Sequence, residues 1–224
     1  MKTVARHQQL NEAKWDKWAS TLDEKGWRRD FLRRAQSKII SLLEIKENVR
    51  FLDIGCGTGW AIGKAAELAG GKGEFYGVDL SAKMVEKAKE NFSGKDNVAG
   101  SAMSHFHFLQ ANAESIPLES NFFDIIICTN SFHHYLHPDK ALKEMRRLLT
   151  PGGKVYILDP TADSWIAKAA DKIFRLIEPE HVKMYSTKEF QQLFEQAGLK
   201  YSRSEIGREK IHIGMTQPPK QSFG

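Results

Sequence analysis

Four segments of this chain have residue types and spacings suited to chemistry. The first is Asp53-Ile54-Gly55-Cys56-Gly57-Thr58-Gly59. Its three alternating glycines let the backbone come close to a ligand, or take φ > 0 without a Cβ clash. The second is Asp79, about 20 residues further on, where an acid in a nucleotide fold accepts hydrogen bonds from both ribose hydroxyls. The third is Gln110-Ala111-Asn112-Ala113-Glu114, in which Asn112 offers an acceptor oxygen and two donor hydrogens. The fourth is Asn130-Ser131-Phe132-His133-His134-Tyr135, whose histidines can titrate near neutral pH. Each has a plainer reading. The glycines can make a bare turn, Asp79 and Asn112 can cap turns, and either histidine can be a neutral, hydrogen-bonded structural residue. A dinucleotide fingerprint, Gly-x-Gly-x-x-Gly, needs a third glycine where this chain has the bulky Trp60.

These residues need elements to position them. The apolar run Val49–Leu52 reads as a strand before the glycine turn, and Ala61–Leu68 reads as the helix after it. Glu74–Asp79 reads as a second strand, with Ser81 as N-cap of a helix to Phe92. His105–Leu109 reads as a third strand. The continuous apolar run Asn121–Cys128 reads as a strand covered on both faces. Pro151-Gly152-Gly153 and the residues to Pro160 read as a turn and a fifth strand. Further helices are expected over Asn11–Leu22, His137–Leu149, Ala162–Ile177 and Ser186–Gln196, with Gly198 as a C-cap. Trp27, Phe31, Ala35 and Ile39 repeat every four residues, which predicts an amphipathic helix with its apolar face packed. Leu199–Ile206 and Lys210–Thr216 read as two last strands. Residues 93–103 make an unusually long link, read as a surface excursion without a functional role, and the tail 218–224 reads as disordered.

The bulk properties are those of one soluble domain: 224 residues, 41% hydrophobic and 27% charged. No apolar stretch approaches the ~20 residues of a spanning helix. Met1–His7 lacks the apolar core of a secretion signal. Cys56 and Cys128 read as free buried thiols in a reducing compartment, so a cytoplasmic protein is expected, and two cysteines are too few for a four-thiolate zinc site. No metal is expected. The net charge of +5 is carried by residues 1–50, which hold 12 Lys+Arg against 7 Asp+Glu. A basic stripe of this kind can meet nucleic acid. The preferred reading is a solvated face on a packed helix.

The order Asp53-x-Gly-x-Gly-x-Gly, Asp79, Asn112-Ala113-Glu114, Phe132-His133-His134 and Pro151-Gly152-Gly153 resembles the class I S-adenosylmethionine (SAM) methyltransferases, in the subgroup that contains the quinone-biosynthesis enzymes. The resemblance is firmest over residues 45–160. It implies a Rossmann-like, doubly wound α/β fold with a mostly parallel seven-stranded sheet and a C-terminal antiparallel hairpin. An N-terminal helical lid is expected over residues 1–45, followed by the SAM-binding domain over 46–217. The cofactor set it implies is Asp53, Gly55, Cys56, Gly57, Gly59, Asp79, Leu80, Asn112, Ala113 and Asn130. Asn112 stands where the family more often has Asp, which removes charge assistance toward the adenine amino group. His133 and His134 are candidate bases. His181 and Tyr185 sit where relatives place a substrate loop, with acceptor contact or proton handling as their implied roles. The acceptor is expected to be a small or lipid-like molecule. An amino-purine nucleic-acid methyltransferase would show Asn/Asp-Pro-Pro-Tyr/Phe where this chain has Asn130-Ser131-Phe132-His133, so nucleic acid is not the expected substrate. The alternative is a SAM-binding regulatory or RNA-binding protein of the same fold without methyl transfer.

Overall fold

The computed structural model describes residues 4–93 and 104–218. The excursion read over 93–103 and the tail read from 218 lie outside these residues, apart from Ser93 and Pro218. Seven strands form one sheet in the order β3-β2-β1-β4-β5-β7-β6. They are β1 (Val49–Ile54), β2 (Gly73–Asp79), β3 (Ser104–Gln110), β4 (Phe123–Thr129), β5 (Leu149–Leu158), β6 (Lys200–Ile206) and β7 (Glu209–Met215). β1 to β5 pair in parallel. β7 runs antiparallel to both β5 and β6 and closes the edge as the expected hairpin.

The helices are α1 (Val4–Trp18), α2 (Trp27–Ile40), α3 (Trp60–Leu68), α4 (Ala82–Phe92), α5 (Pro138–Leu148), α6 (Trp165–Ile177) and α7 (Thr187–Gln196). α2, α3 and α4 cover one face of the sheet, packing Ile39, Ile62 and Ala88 on Phe51, Phe75, Ile125 and Ile127. α5 and α7 cover the other, packing Met145, Phe190 and Phe194 on Leu52, Ile126, Cys128 and Ile157. Successive strand residues point to opposite faces, so a strand covered twice must be apolar at every position. That is why Phe51-Leu52 in the middle of β1 and Ile125–Cys128 of β4 are apolar without a break, the charged Arg50 and Asp124 standing near the strand starts. β3 is the edge strand. Its Phe108 joins the α3–α4 layer, while His105 and His107 stay half-exposed on the other side.

Local signals fix the helix ends. The Ser81 hydroxyl accepts from the Met84 N–H, and Ser186 with Glu189 forms a reciprocal capping box. Three expectations need correction. The first helix starts at Val4 and ends at Trp18, so Leu22 lies in the turn beyond it. In α2 only the C-terminal half of the apolar stripe is packed: Ala35 and Ile39 are buried, but Trp27 is 76% and Phe31 51% exposed, because this end of the helix has no layer over it. α6 begins at Trp165, where the Ser164 hydroxyl caps it, three residues later than Ala162. Among the described residues no helix is long and apolar enough to cross a membrane.

Candidate active site

The strand order reverses direction between β1 and β4. In an open α/β sheet, ligands bind at that switch point, outside the carboxyl ends of the strands. A cleft opens there, with about 1130 Å³ of space including its solvent-open mouth. Its floor comes from the residues after four strands: Gly55–Thr58 after β1, Asp79 and Leu80 after β2, Ala111–Glu114 after β3, and Asn130, Ser131 and His134 after β4.

The glycine turn is shaped by backbone need. Gly55 has φ +80°, and a Cβ there would lie 2.4 Å from Ser131 Oγ. Gly59 has φ +86°, and a Cβ would lie 2.8 Å from Phe92. A Cβ on Gly57 would meet only Leu22, at 3.4 Å, so this residue turns its bare backbone to the cleft. Cys56 lines the cleft, buried, and burial holds its thiol well above the ordinary value. Gly59 and Asp53 stand behind the wall. Asp53 is 1% exposed and neither carboxylate oxygen has a partner. Burial, then the neighbouring Asp79, pushes its pKa up to about 8.

Asp79 is tied to the same turn. Its Oδ2 accepts from the Gly57 N–H at 2.9 Å and its Oδ1 from the Ser81 N–H at 2.9 Å. Desolvation raises its pKa, and these backbone bonds partly offset the rise. The Asn112 side-chain oxygen accepts from the Glu114 N–H at 3.0 Å, so it caps its own turn and leaves its amide hydrogens for the cleft. Asn130 holds φ +52°, unusual outside glycine, while its backbone N–H donates to the Leu158 carbonyl at 2.8 Å. Its amide nitrogen is buried and unpartnered, as is the hydroxyl of neighbouring Thr129. Unpaired buried polar groups therefore gather at the ends of β1 and β4, beside the cleft, where a ligand would satisfy them.

His133 and His134 follow β4 in a single 3₁₀ turn. His134 lines the cleft. Its Nδ1–H donates to the Glu180 carbonyl at 3.1 Å, which leaves Nε2 as an acceptor. Burial, then the neighbouring His133, holds its pKa well below the ordinary value, so it is neutral. His133 sits behind it, ring centroids 4.0 Å apart, with Nδ1 3.0 Å from both oxygens of buried Asp159. His181 donates to Asp171 at 2.8 Å and lies against His133. Tyr185 is not brought to the cleft. It is buried between Phe132 and Phe190, and burial raises its hydroxyl far above the ordinary range.

The N-terminus supplies residues that local pattern does not flag as binding. His7, Asn11, Trp15, Leu22 and Asp23 line the cleft. His7 Nε2 donates to the His134 carbonyl at 2.9 Å, and Trp15 packs edge-on against the His134 ring. Asp16 accepts from the Ser81 hydroxyl at 2.5 Å. Asp23 accepts from Thr58 at 3.1 Å, from Arg33 at 3.2 Å and from Asn91 at 3.3 Å. Ser131 and Tyr135, bonded to each other at 3.1 Å, are the other unflagged polar pair, and only their i,i+4 spacing hinted at a shared face.

A methyltransferase-domain family pattern matches residues 45–198. The chain is 31% identical over 208 residues to a demethylmenaquinone methyltransferase of Bacillus velezensis, covering 81% of this chain and 85% of that one. It is 28% identical over 199 residues to the ubiquinone/menaquinone biosynthesis C-methyltransferase UbiE of Burkholderia mallei, covering 78% of each. The crystal structure of the YcgJ protein of Bacillus subtilis shares the fold, with a TM-score of 0.71 at 22% identity over 83% of this chain and 99% of that one. The residues present fit SAM. Asp53 is a buried carboxylate without a donor, and SAM is a cation carrying an ammonium donor. Gly57 leaves open the space a side chain would fill, and Asp79 keeps lone pairs for ribose hydroxyls. The chain belongs to the methyltransferase-domain family and is a SAM-dependent methyltransferase of class I.

Proposed function

We propose that the enzyme methylates a small, apolar, quinone-type acceptor held against the N-terminal wall of the cleft. The observation that carries this reading is the character of that wall. Trp15, Leu22 and Leu32 of that wall, with Trp60 of α3, give the cleft an apolar, aromatic slot set among the polar side chains of His7, Asn11, Asp23 and Arg33. Such a slot selects by shape and hydrophobicity. The relatives named for quinone biosynthesis agree with it.

SAM, when bound, supplies a methyl group already activated on sulfur. In this reading Gly55, Cys56 and Gly57 form the wall along its methionyl part, with Gly59 setting the turn. Asn130 meets its polar end, with the carboxyl of Asp53 answering the same charge from behind the wall, Asp79 its ribose hydroxyls, and Leu80, Asn112 and Ala113 its adenine. The chain's main task is alignment, which can supply ~7–11 kcal/mol of a barrier. Where the acceptor is a hydroxyl or an acidic carbon, His134 takes the proton on Nε2, while His133, fixed by Asp159, packs behind it and positions it. Tyr185 serves the core. The free, buried Cys56 and Cys128 suit a cytoplasmic enzyme.

The test is transfer of labelled methyl from SAM to a set of quinols with an open ring position and, separately, to polar amines and hydroxy acids. Label on the quinols is expected. Label only on polar acceptors would overturn the reading. His134→Gln should lower turnover by roughly 10²–10⁴ with SAM affinity unchanged. Unchanged turnover would mean that alignment alone suffices.

A further inference from the structure

Most surface helices turn their apolar stripe to the core. α6 does the reverse. Asp171 is its one fully buried residue, and Phe174 is half-buried. Trp165, Ile166, Ile173, Leu176 and Ile177 face solvent, each between 55% and 84% exposed. At 100° per residue these side chains fall on one arc of about 120°. Lys168, Lys172 and Arg175, all exposed, fall on the adjoining arc. The outer surface of α6 is thus an apolar stripe flanked on one side by cations.

This stripe lies near the cleft. Glu178, the residue after α6, accepts from Lys14 of α1 at 3.0 Å. At the end of α1, the Trp18 ring lies 3.6 Å under the Arg28 guanidinium of α2. Next to Arg28 stands the exposed Trp27. A chain of contacts across α1 therefore links the end of α6 to the exposed aromatic end of α2, and α1 is the helix that walls the cleft.

We propose that α6 docks the enzyme on an anionic lipid surface. A helix lying in the plane of a bilayer needs bulky apolar side chains on one face and Lys or Arg beside them, and tryptophan is favoured at the headgroup level. α6 has each of these. The cations select the occupant: a second copy of this basic chain would bring like charge against Lys168 and Lys172, whereas anionic headgroups complement them. Docking by α6 holds α1 and the cleft near the membrane, where an apolar acceptor would be dissolved. The surface deepens the acceptor reading but stands on α6 alone. Its readout, sedimentation with vesicles, needs neither SAM nor acceptor, so its failure leaves methyl transfer standing.

The full chain is sedimented with phosphatidylcholine vesicles with and without phosphatidylglycerol. Binding to the anionic vesicles is expected, weakened by salt, with a blue shift of tryptophan emission that Trp165→Phe removes. The double variant Ile173→Ser, Leu176→Ser should weaken partitioning by roughly tenfold or more, and Lys168→Gln with Lys172→Gln by a similar factor. All these side chains are exposed, so SAM binding measured by calorimetry should be unchanged and reports a folded protein. The proposal is overturned if anionic vesicles leave the wild type in solution, or if both double variants bind them as well as the wild type does. It is also overturned if sedimentation velocity shows a dimer, dispersed by the serine variants, that does not bind vesicles.

Discussion

Asp53 carries the largest unmet electrostatic demand near the cleft. Its carboxyl titrates near pH 8 in the folded protein and near 3.8 when exposed. The folded state therefore binds the extra proton between these values. Stability contributed by the protonated acid is fully present below about pH 4 and is lost as pH rises through about 8. Asp53→Asn should then raise the apo protein's melting temperature at pH 8, by an amount corresponding to up to about 5 kcal/mol, with the gap closing toward pH 4. The same variant should weaken SAM, because the cation loses the carboxylate it would neutralise. Thermal melts across pH and calorimetry check the two halves. The glycines divide in the same way. Gly59→Ala forces a Cβ into Phe92 at φ +86° and should destabilise by roughly 1–3 kcal/mol. Gly57→Ala meets little in the protein, so it should fold, at a backbone cost of about 1–2 kcal/mol, and lose SAM affinity more than stability. A Gly57→Ala protein that binds SAM normally would place the cofactor elsewhere.

At the scale of elements, α1 and its following turn are fastened over the cleft by polar contacts to three separate pieces: Ser81 at the start of α4, Thr58 in the glycine turn, and the His134 carbonyl after β4. Each latch touches a residue on or beside the proposed cofactor floor. Such a wall encloses the reacting groups and excludes water, whereas the floor it covers belongs to the sheet. Deleting residues 1–20 should therefore cut turnover far more than SAM affinity. Asp23→Ala, which releases Thr58, Arg33 and Asn91 together, should act in the same direction with a smaller effect. Equal losses in kcat and in SAM affinity would instead make this segment part of the cofactor site.

At the scale of the molecule, several cations of the first 50 residues are engaged by contacts within the fold. Arg28 stacks on Trp18, Arg29 pairs with Asp30 at 2.7 Å, Arg33 with Asp23 at 3.2 Å, and Lys38 with Glu209 at 2.8 Å. A basic arm for RNA needs cations free to replace counterions along a phosphate backbone. Binding of labelled RNA should therefore stay in the non-specific range, with Kd of ~10⁻⁴–10⁻⁶ M at physiological salt, and should not change on deleting residues 1–20. Tight, steeply salt-dependent RNA binding lost on that truncation would revive the non-enzymatic alternative.

The parallel sheet and the strand–turn–helix around Gly55–Gly59 could be read from sequence because their causes are local. Continuous apolar runs mark strands covered on both faces, and alternating glycines mark a turn that side chains would block. Asp79, Asn112 and Asn130 follow from the same logic, since each closes a strand at the carboxyl edge. Long-range placement settled what periodicity could not. Trp27 and Phe31 share a stripe with Ala35 and Ile39, yet only the second pair has a layer to bury it. His133 and His134 look equally eligible in sequence, and Tyr185 enters only through the substrate loop that the resemblance implies. Tertiary packing sets His134 on the cleft, His133 behind it on Asp159, and Tyr185 in the core. Asp23 and Thr58 are 35 residues apart, and nothing in either segment announces the other. A helical or strand period reports which face of an element is apolar; what stands opposite that face depends on how the whole chain packs.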